Sequence, residues 1–309
     1  EKGLFMMEAV VASSKPSTQS DSTKDGTDQV VSQATLMRQI TALTYRELLA
    51  SKRDIGALAG RFGITIFLNV IFGLIFLGSG ARDDSDPTNF NSHFGALTML
   101  TIFSMFGMAQ PTMLSFPFER PIFMREYSTG TYGILSYVLS KAVIELPQAF
   151  LQCLIQFILS YFMMGLNGDF MLMVVVSWGL GICSSSMAIL LGCLVSDVKD
   201  VTEMAPLLYV PQLLFAGFFI KTSQIPIFLR WAQYLCGLKY AMNLLILLEF
   251  ALSNDSCSGG AGKYCKAVVE DNDIDKKNWW IYVVILIVLF FSFRIIGGFV
   301  LVQKAKRFY

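Results

Sequence analysis

The sequence has few charged residues and a single histidine. Only 15% of its 309 residues are charged, whereas an ordinary soluble domain carries roughly a quarter. A chain with so little charge cannot cover a water-soluble globule of this size, so an ordinary soluble domain is excluded. One histidine nearly excludes a histidine-based catalytic or metal centre, and we predict no metal site. The net charge of +1 points neither to nucleic acid nor to an acidic partner.

The sequence also lacks a nucleotide-binding motif and a signal peptide. The nearest match to a phosphate-binding loop is 258–263, but Cys257 takes the place of its first glycine and Tyr264 that of its Ser or Thr. We therefore interpret this stretch as a flexible loop, predict no catalytic residue, and expect no cofactor in this chain. No apolar signal segment occurs in the first 60 residues, so the first membrane span would direct its own insertion.

Long uncharged stretches alternate with short charged clusters along the rest of the chain. About 20 consecutive apolar residues cross a bilayer as a helix. The fold class predicted is an all-α membrane protein with six transmembrane helices, at about 62–81, 95–116, 132–164, 170–195, 203–220 and 279–302. Charged residues, a proline and an asparagine interrupt the apolar stretch 225–252. We predict a re-entrant helix pair there, within an external loop at 221–278.

Orientation follows from basic residues in the short loops, which stay on the cytosolic side. The segment from Arg38 to Arg61 and the C-terminal residues are basic, so both termini are predicted to be cytosolic. Arg294 lies in the last span, close enough to the cytosolic end for its side chain to reach water. The loop after the fifth span is then external. There we predict a disulfide between Cys257 and Cys265 and a glycosylation site at Asn254. The other four cysteines lie in apolar segments, and we predict that they are small core residues.

Two different segments precede the first span. Residues 1–33 are rich in Ser, Thr, Lys, Asp and Gln, which predicts a disordered linker. From about 33 to 55, apolar and basic residues fall on opposite sides of a helix. This pattern suits an amphipathic helix at an anionic membrane surface, and a helix packed on a neighbouring soluble domain is the alternative. The apolar residues are Leu36, Met37, Ile40, Leu43 and Leu48.

The stretch from Glu119 to Tyr132 mixes charges of both signs with aromatic side chains. By composition it is either a short helix that docks on a partner or a solvated loop. Together with Lys141, the Glu145-Leu146-Pro147 motif and the downstream Trp231-Ala232-Gln233-Tyr234 motif, this stretch resembles the G subfamily of ABC transporters. This is the White and breast cancer resistance protein type, and the resemblance covers about Gln33 to the C-terminus.

The resemblance implies an ABC-2 type transmembrane domain at 34–309. In that family a nucleotide-binding domain precedes the membrane domain, so residues 1–33 would be the linker from such a domain, which is absent from this sequence. ATP and Mg²⁺ would bind there. The working unit would be a dimer of two half-transporters, in which this chain itself is not an enzyme. The expected partners are a second half-transporter, the nucleotide-binding domain, membrane lipids and a lipophilic substrate.

The resemblance also implies roles for particular residues. A polar pair would form between Lys141 and Glu145, which are one helical turn apart and can meet. Phe218 and Phe219 would form a hydrophobic plug that closes the cavity on the outside. The substrate cavity would include Ser104, Val210 and Leu213. The coupling helix, which receives motion from the ATPase, would comprise Glu119, Arg120, Phe123, Arg125, Glu126 and Tyr127.

The function implied is ATP-driven export of a lipophilic substrate by alternating access, with the plasma membrane as the expected location. The substrate would be a sterol, a lipid, a wax, a pigment precursor or a xenobiotic. Two alternatives remain open. One is a separately encoded permease or passive channel without its own ATPase, and the other is a membrane-embedded enzyme, for which Glu145 beside Lys141 does not make a centre.

Overall fold

The computed structural model describes residues 35–81, 86–195, 197–217, 226, 231–251, 268–269, 274 and 277–307. These residues form helices and turns, and the described part contains no β-strand. The predicted linker 1–33, the plug residues Phe218 and Phe219, the sequon at Asn254 and the predicted disulfide between Cys257 and Cys265 lie outside the described residues.

Eight α-helices follow one another in the described chain. They are α1 (Leu36–Arg53), α2 (Ile55–Ile75), α3 (Pro87–Ser128), α4 (Ile134–Met164), α5 (Phe170–Leu194), α6 (Val198–Phe215), α7 (Gly237–Ile246) and α8 (Trp279–Arg307). A 3₁₀ turn at Ala232–Leu235 precedes α7, and a π-helical turn at Leu247–Ala251 follows it directly.

Five helices, α2, α3, α4, α5 and α8, are long and apolar enough to cross a membrane. The segment predicted as a sixth crossing, 203–220, coincides in part with α6, which has only 18 residues. Charged side chains at Lys199, Asp200 and Glu203 occupy its first two turns. Each of these charges is costly in hydrocarbon. Helix α6 is therefore not apolar enough over its whole length to count as a sixth candidate span.

Helix α3 runs past the end of the predicted second span, 95–116, without a break at Pro117. Helix α3 continues for 42 residues to Ser128 and contains Pro111, Pro117 and Pro121. Each proline removes one backbone hydrogen bond and tends to kink or break a helix. Tertiary contacts outweigh that cost here, because Phe116 and Phe123 are buried on either side of Pro117 and Pro121.

The predicted amphipathic helix is α1, and Asp54 separates it from α2. The backbone N–H of Asp54 bonds to Ala50, and its carboxylate accepts a hydrogen bond from the N–H of Ala57 at 3.1 Å. This side chain therefore caps the beginning of α2. Of the predicted apolar arc only Leu43 is buried, whereas Met37 is 69% exposed. The face of α1 that meets the bundle therefore combines a buried leucine with polar side chains that bond to α4.

Helix α5 is the centre of the bundle and packs most extensively on α3 and α8. Small residues permit this close packing. A Cβ atom added to Gly181 would lie 2.7 Å from the side chain of Met108, and one added to Gly192 would lie 2.6 Å from Phe116. In lipid, such small residues let helices approach closely. The prediction of four small core cysteines is confirmed, because Cys153, Cys183, Cys193 and Cys236 are free and buried.

Candidate functional site

Charged side chains from three helices meet where α3 ends and α4 begins. Helix α1 packs along α4, and the last turns of α3 lie beside both, so residues distant in sequence come together. We call this group the charged cluster. With two cations and three carboxylates, it carries a formal charge of −1. Its members are Arg46, Glu47, Glu119, Glu126, Tyr132 and Lys141.

One half of the charged cluster is centred on Glu126, near the end of α3. Arg46 on α1 donates to both carboxylate oxygens of Glu126, at 2.6 and 2.8 Å. The hydroxyl of Tyr132 donates to the same carboxylate at 2.6 Å. Burial raises the pKa of Tyr132, and its bond to Glu126 raises it further. Burial alone would lower the pKa of Arg46, but Glu126 outweighs this effect and raises it.

Lys141 on α4 is the centre of the other half. Its ammonium group pairs with Glu119 on α3 and lies 3.5 Å from Glu47 on α1. The predicted pair between Lys141 and Glu145 is therefore wrong, because the two side chains take different partners. Their spacing of four residues permits contact along the helix, but carboxylates on neighbouring helices reach Lys141 instead.

Glu145 pairs with Arg294 on α8. Arg294 is only 6% exposed, and its Nε donates to the hydroxyl of Ser186 on α5 at 3.0 Å. The prediction that Arg294 reaches water is wrong, since a carboxylate within the bundle neutralises it. A charge in a membrane protein is stable when it faces the bundle interior and has a partner. This ion pair joins α4, α5 and α8.

Helix α4 carries a polar stripe that the sequence reasoning missed. Its members recur every three or four residues, which places them along one side of a helix. They contact α1, α2, α3 and α8: Gln148 bonds to Ser51, Gln152 to Arg61, Thr65 and the carbonyl of Gly107, Gln156 to Ser104, and Ser160 to Asn69. The stripe consists of Lys141, Glu145, Gln148, Gln152, Gln156 and Ser160. Polar residues at this spacing in an otherwise apolar span are the sequence signal from which the polar stripe could have been predicted.

Most predicted coupling-helix residues make contacts within the chain. Phe123 is 1% exposed, and its ring centroid lies 4.5 Å from that of Tyr137. Arg120 is buried and donates to the carbonyl of Val195 at 2.8 Å. Tyr127 stacks on Phe123 with 5.5 Å between ring centroids, and Arg125 is exposed. The surface that this segment offers to a partner therefore centres on Arg125 rather than on Phe123.

The three predicted cavity residues lie in different surroundings. Ser104 is 1% exposed and accepts a hydrogen bond from Gln156 at 2.8 Å, so it belongs to the packing between α3 and α4. Leu213 lines a narrow gap that α3 and α7 also border. Val210 is 46% exposed. It belongs to an apolar face of α6, with Met204, Leu207 and Leu214, that is open in the single chain.

The described residues contain no group of three or more His, Cys, Asp or Glu side chains that could hold a metal ion. The five long apolar helices define a multi-pass α-helical membrane protein.

Comparison with known proteins assigns a family. A family model described as ABC-2 type transporter matches residues 38–250. Protein white of Drosophila melanogaster is 27% identical over 288 residues, covering 89% of this chain and 41% of that protein. The broad substrate specificity ATP-binding cassette transporter ABCG2 of Rattus norvegicus is 28% identical, covering 72% of this chain and 33% of that protein. ABC transporter G family member 16 of Arabidopsis thaliana is 31% identical, covering 69% and 29%.

The chain belongs to the ABC-2 type transporter family. It spans less than half the length of these relatives. The family match includes helices α2 to α7 and the charged cluster, and it ends before α8.

Proposed function

We propose that this chain forms the membrane-spanning half of an ATP-driven exporter of the G subfamily. It works as a dimer and moves a lipophilic substrate by alternating access. ATP and Mg²⁺ bind to nucleotide-binding domains, and the charged end of α3 receives their motion. Both termini face the cytosol, and the plasma membrane is the expected location. The names of the relatives, which include ATP-binding cassette transporters, support this assignment.

The continuity of α3 carries the proposal. At 1.5 Å per residue, its 42 residues extend about 63 Å, twice the roughly 30 Å of a hydrocarbon core. The stretch 95–116 is long enough to cross that core, so residues 117–128 extend beyond it by about 18 Å. A single helix that crosses the membrane and ends in a charged segment acts as a lever. A push on the segment around Arg125 moves the transmembrane part.

The contacts of the charged cluster and the polar stripe indicate where that motion goes. Glu126 ties the end of α3 to α1, and Glu119 ties it to α4 through Lys141. From there the polar stripe of α4 continues to α2 and, through Glu145, to α8. These ion pairs and hydrogen bonds can exchange partners between two discrete arrangements. Nucleotide supplies the differential stabilisation that such a switch needs.

The open face of α6 supports both the dimer and the class of substrate. Its exposed residues, Met204, Leu207, Val210 and Leu214, repeat at helical spacing. We assign this face to the pathway shared with the second half, where an apolar lining suits a sterol, lipid or xenobiotic better than a sugar or an ion.

Transport by the full-length transporter in inside-out vesicles tests the proposal. Three fluorescent probes are used: a labelled sterol, a labelled phospholipid and a rhodamine dye. We expect ATP-dependent accumulation of at least one probe, and a strong reduction by Glu126→Gln. Lys306→Gln is the control for loss of a charge outside the charged cluster, because Lys306 is exposed near the end of α8.

Flux of a probe at the same rate with and without ATP would indicate a passive channel and contradict the proposal. Failure of all three probes, together with failure of a cysteine at position 125 to cross-link to an ATPase domain, would also overturn it.

A further inference from the structure

The only histidine of the sequence forms a buried pair with a glutamate at the opposite end of α3 from the charged cluster. His93 lies in the second turn of α3, and its Nε2 is 2.8 Å from Oε1 of Glu249. Both side chains are 0% exposed. A fully buried carboxylate beside an imidazole is costly unless donors satisfy it, so the remaining contacts of Glu249 are decisive.

Two backbone N–H groups complete the environment of Glu249. Those of Asn167 and Gly168 donate to Oε1 and Oε2, each at 2.8 Å. Both belong to the turn between α4 and α5. The side chain of Asn167 donates in turn to the carbonyl of Gly80 at 3.0 Å. One carboxylate therefore connects α3, the α4–α5 turn and the π-helical turn, and Asn167 adds the segment after α2.

Glycines let the backbone approach this pair. A Cβ atom on Gly168 would lie 2.9 Å from Oε2 of Glu249. One on Gly80 would lie 3.2 Å from Nε2 of His93 and 2.3 Å from the carbonyl oxygen of Gly165. Gly165 itself has φ +70°, a conformation that other residues rarely adopt. Gly80 and Gly168 therefore have no side chain where the backbone lies against the pair.

Glu249 lies inside the π-helical turn Leu247–Ala251. Such turns are rare and occur frequently at functional sites. Glu249, at the middle of this turn, makes its three hydrogen bonds across the bundle rather than along its own helix. The residue that makes these contacts thus lies in the one π-helical turn of the described chain.

We propose that His93 and Glu249 are positioning residues of the transport cycle. They clamp the first turns of α3, the α4–α5 turn and the segment 237–251 into one block. Residue 93 is 33 residues from Glu126, or about 50 Å along α3. Motion that enters at the charged cluster thus reaches the clamp through a single helix and moves the block as a unit. This inference rests on the proposed function, since it names where α3 delivers its motion.

The clamp predicts a separation of ATP hydrolysis from transport. In the full-length transporter, Glu249→Gln and His93→Leu should retain the ATPase rate and lower the amount of probe transported per ATP. His93→Gln keeps an N–H donor at a similar reach and should restore most of that ratio. Ser92→Ala is the matched control, because Ser92 is only partly buried and its hydroxyl donates to a carbonyl in the preceding turn of α3.

Hydrogen exchange at the amides of Asn167 and Gly168 tests the clamp without an activity. We expect Glu249→Gln to speed exchange of both amides, and by about tenfold or more for the amide that faces the new NH₂ group, because that amide loses a charge-assisted hydrogen bond. Exchange at the middle of α5 should not change. A swapped variant, His93→Glu with Glu249→His, should not restore slow exchange, because the two backbone donors would then face an imidazole.

Unchanged exchange and an unchanged transport ratio in Glu249→Gln would overturn the clamp, as would restoration by the swapped variant. If Glu249→Gln does not fold, the comparison of His93→Leu with His93→Gln decides, and equal ratios in the two would overturn it. Absence of ATP-dependent transport in the unmodified protein would count against the proposed function only. The exchange measurement would still test the contacts of Glu249.

Discussion

Replacement of Arg294 by Met tests how the bundle stabilises a buried charge. The guanidinium of Arg294 contacts Glu145 on α4 and Ser186 on α5, and it lies 5.5 Å from the ring centroid of Phe290. Methionine keeps an unbranched apolar stem that can pack in the same space. Arg294→Met therefore removes the charge and its hydrogen bonds with little loss of packing.

The expected loss of unfolding free energy is about 3–5 kcal/mol, because Glu145 remains as a largely buried charge without its partner. The double variant Arg294→Met/Glu145→Leu should recover most of this loss, since two apolar side chains of similar size leave no stranded charge. The two substitutions should therefore be non-additive, with an interaction energy of about 2–3 kcal/mol.

Titration of the purified protein with SDS in mixed micelles, followed by circular dichroism, measures these differences. Lys306→Met is the matched control, because Lys306 is an exposed cation on the same helix and its loss should change stability by no more than about 0.5 kcal/mol. Losses that simply add in the double variant, or a loss below about 1 kcal/mol for Arg294→Met, would refute the assigned ion pair.

Two further predictions rest on contacts in the structure, and a third rests on the sequence. Glu126→Gln should lower stability by only about 1 kcal/mol or less in the SDS titration, because its pair with Arg46 is partly exposed, at 30% and 38%; a larger loss would contradict this. Gly192→Ala should lower stability by about 1–3 kcal/mol through overpacking against α3, whereas Gly179→Ala, with no atom within 4 Å, should not; equal effects would contradict the close packing. Mass spectrometry of the unreduced protein should find Cys257 joined to Cys265, and free thiols at both would refute the disulfide.

Local properties of the sequence determined the class of the protein and the positions of several helices. The spans predicted at 132–164, 170–195 and 279–302 correspond to α4, α5 and α8. Transfer of apolar side chains into hydrocarbon adds up residue by residue. A continuous apolar stretch therefore predicts a membrane helix whatever its neighbours are. The stretch Glu119–Tyr132, taken together with the motifs downstream of it, likewise indicated the family that residues 38–250 match.

Tertiary structure alone decided where polar side chains find their partners. Lys141 and Glu145 are adjacent on one helix, yet each pairs with another helix, and His93 meets a residue 156 positions away. Helix α3 also continues through Pro117 because residues beyond it are buried against neighbouring helices. The physical reason is the same in each case. A charge in a bundle takes the partner that close helix packing brings to it, and which helices become neighbours is a property of the assembled fold.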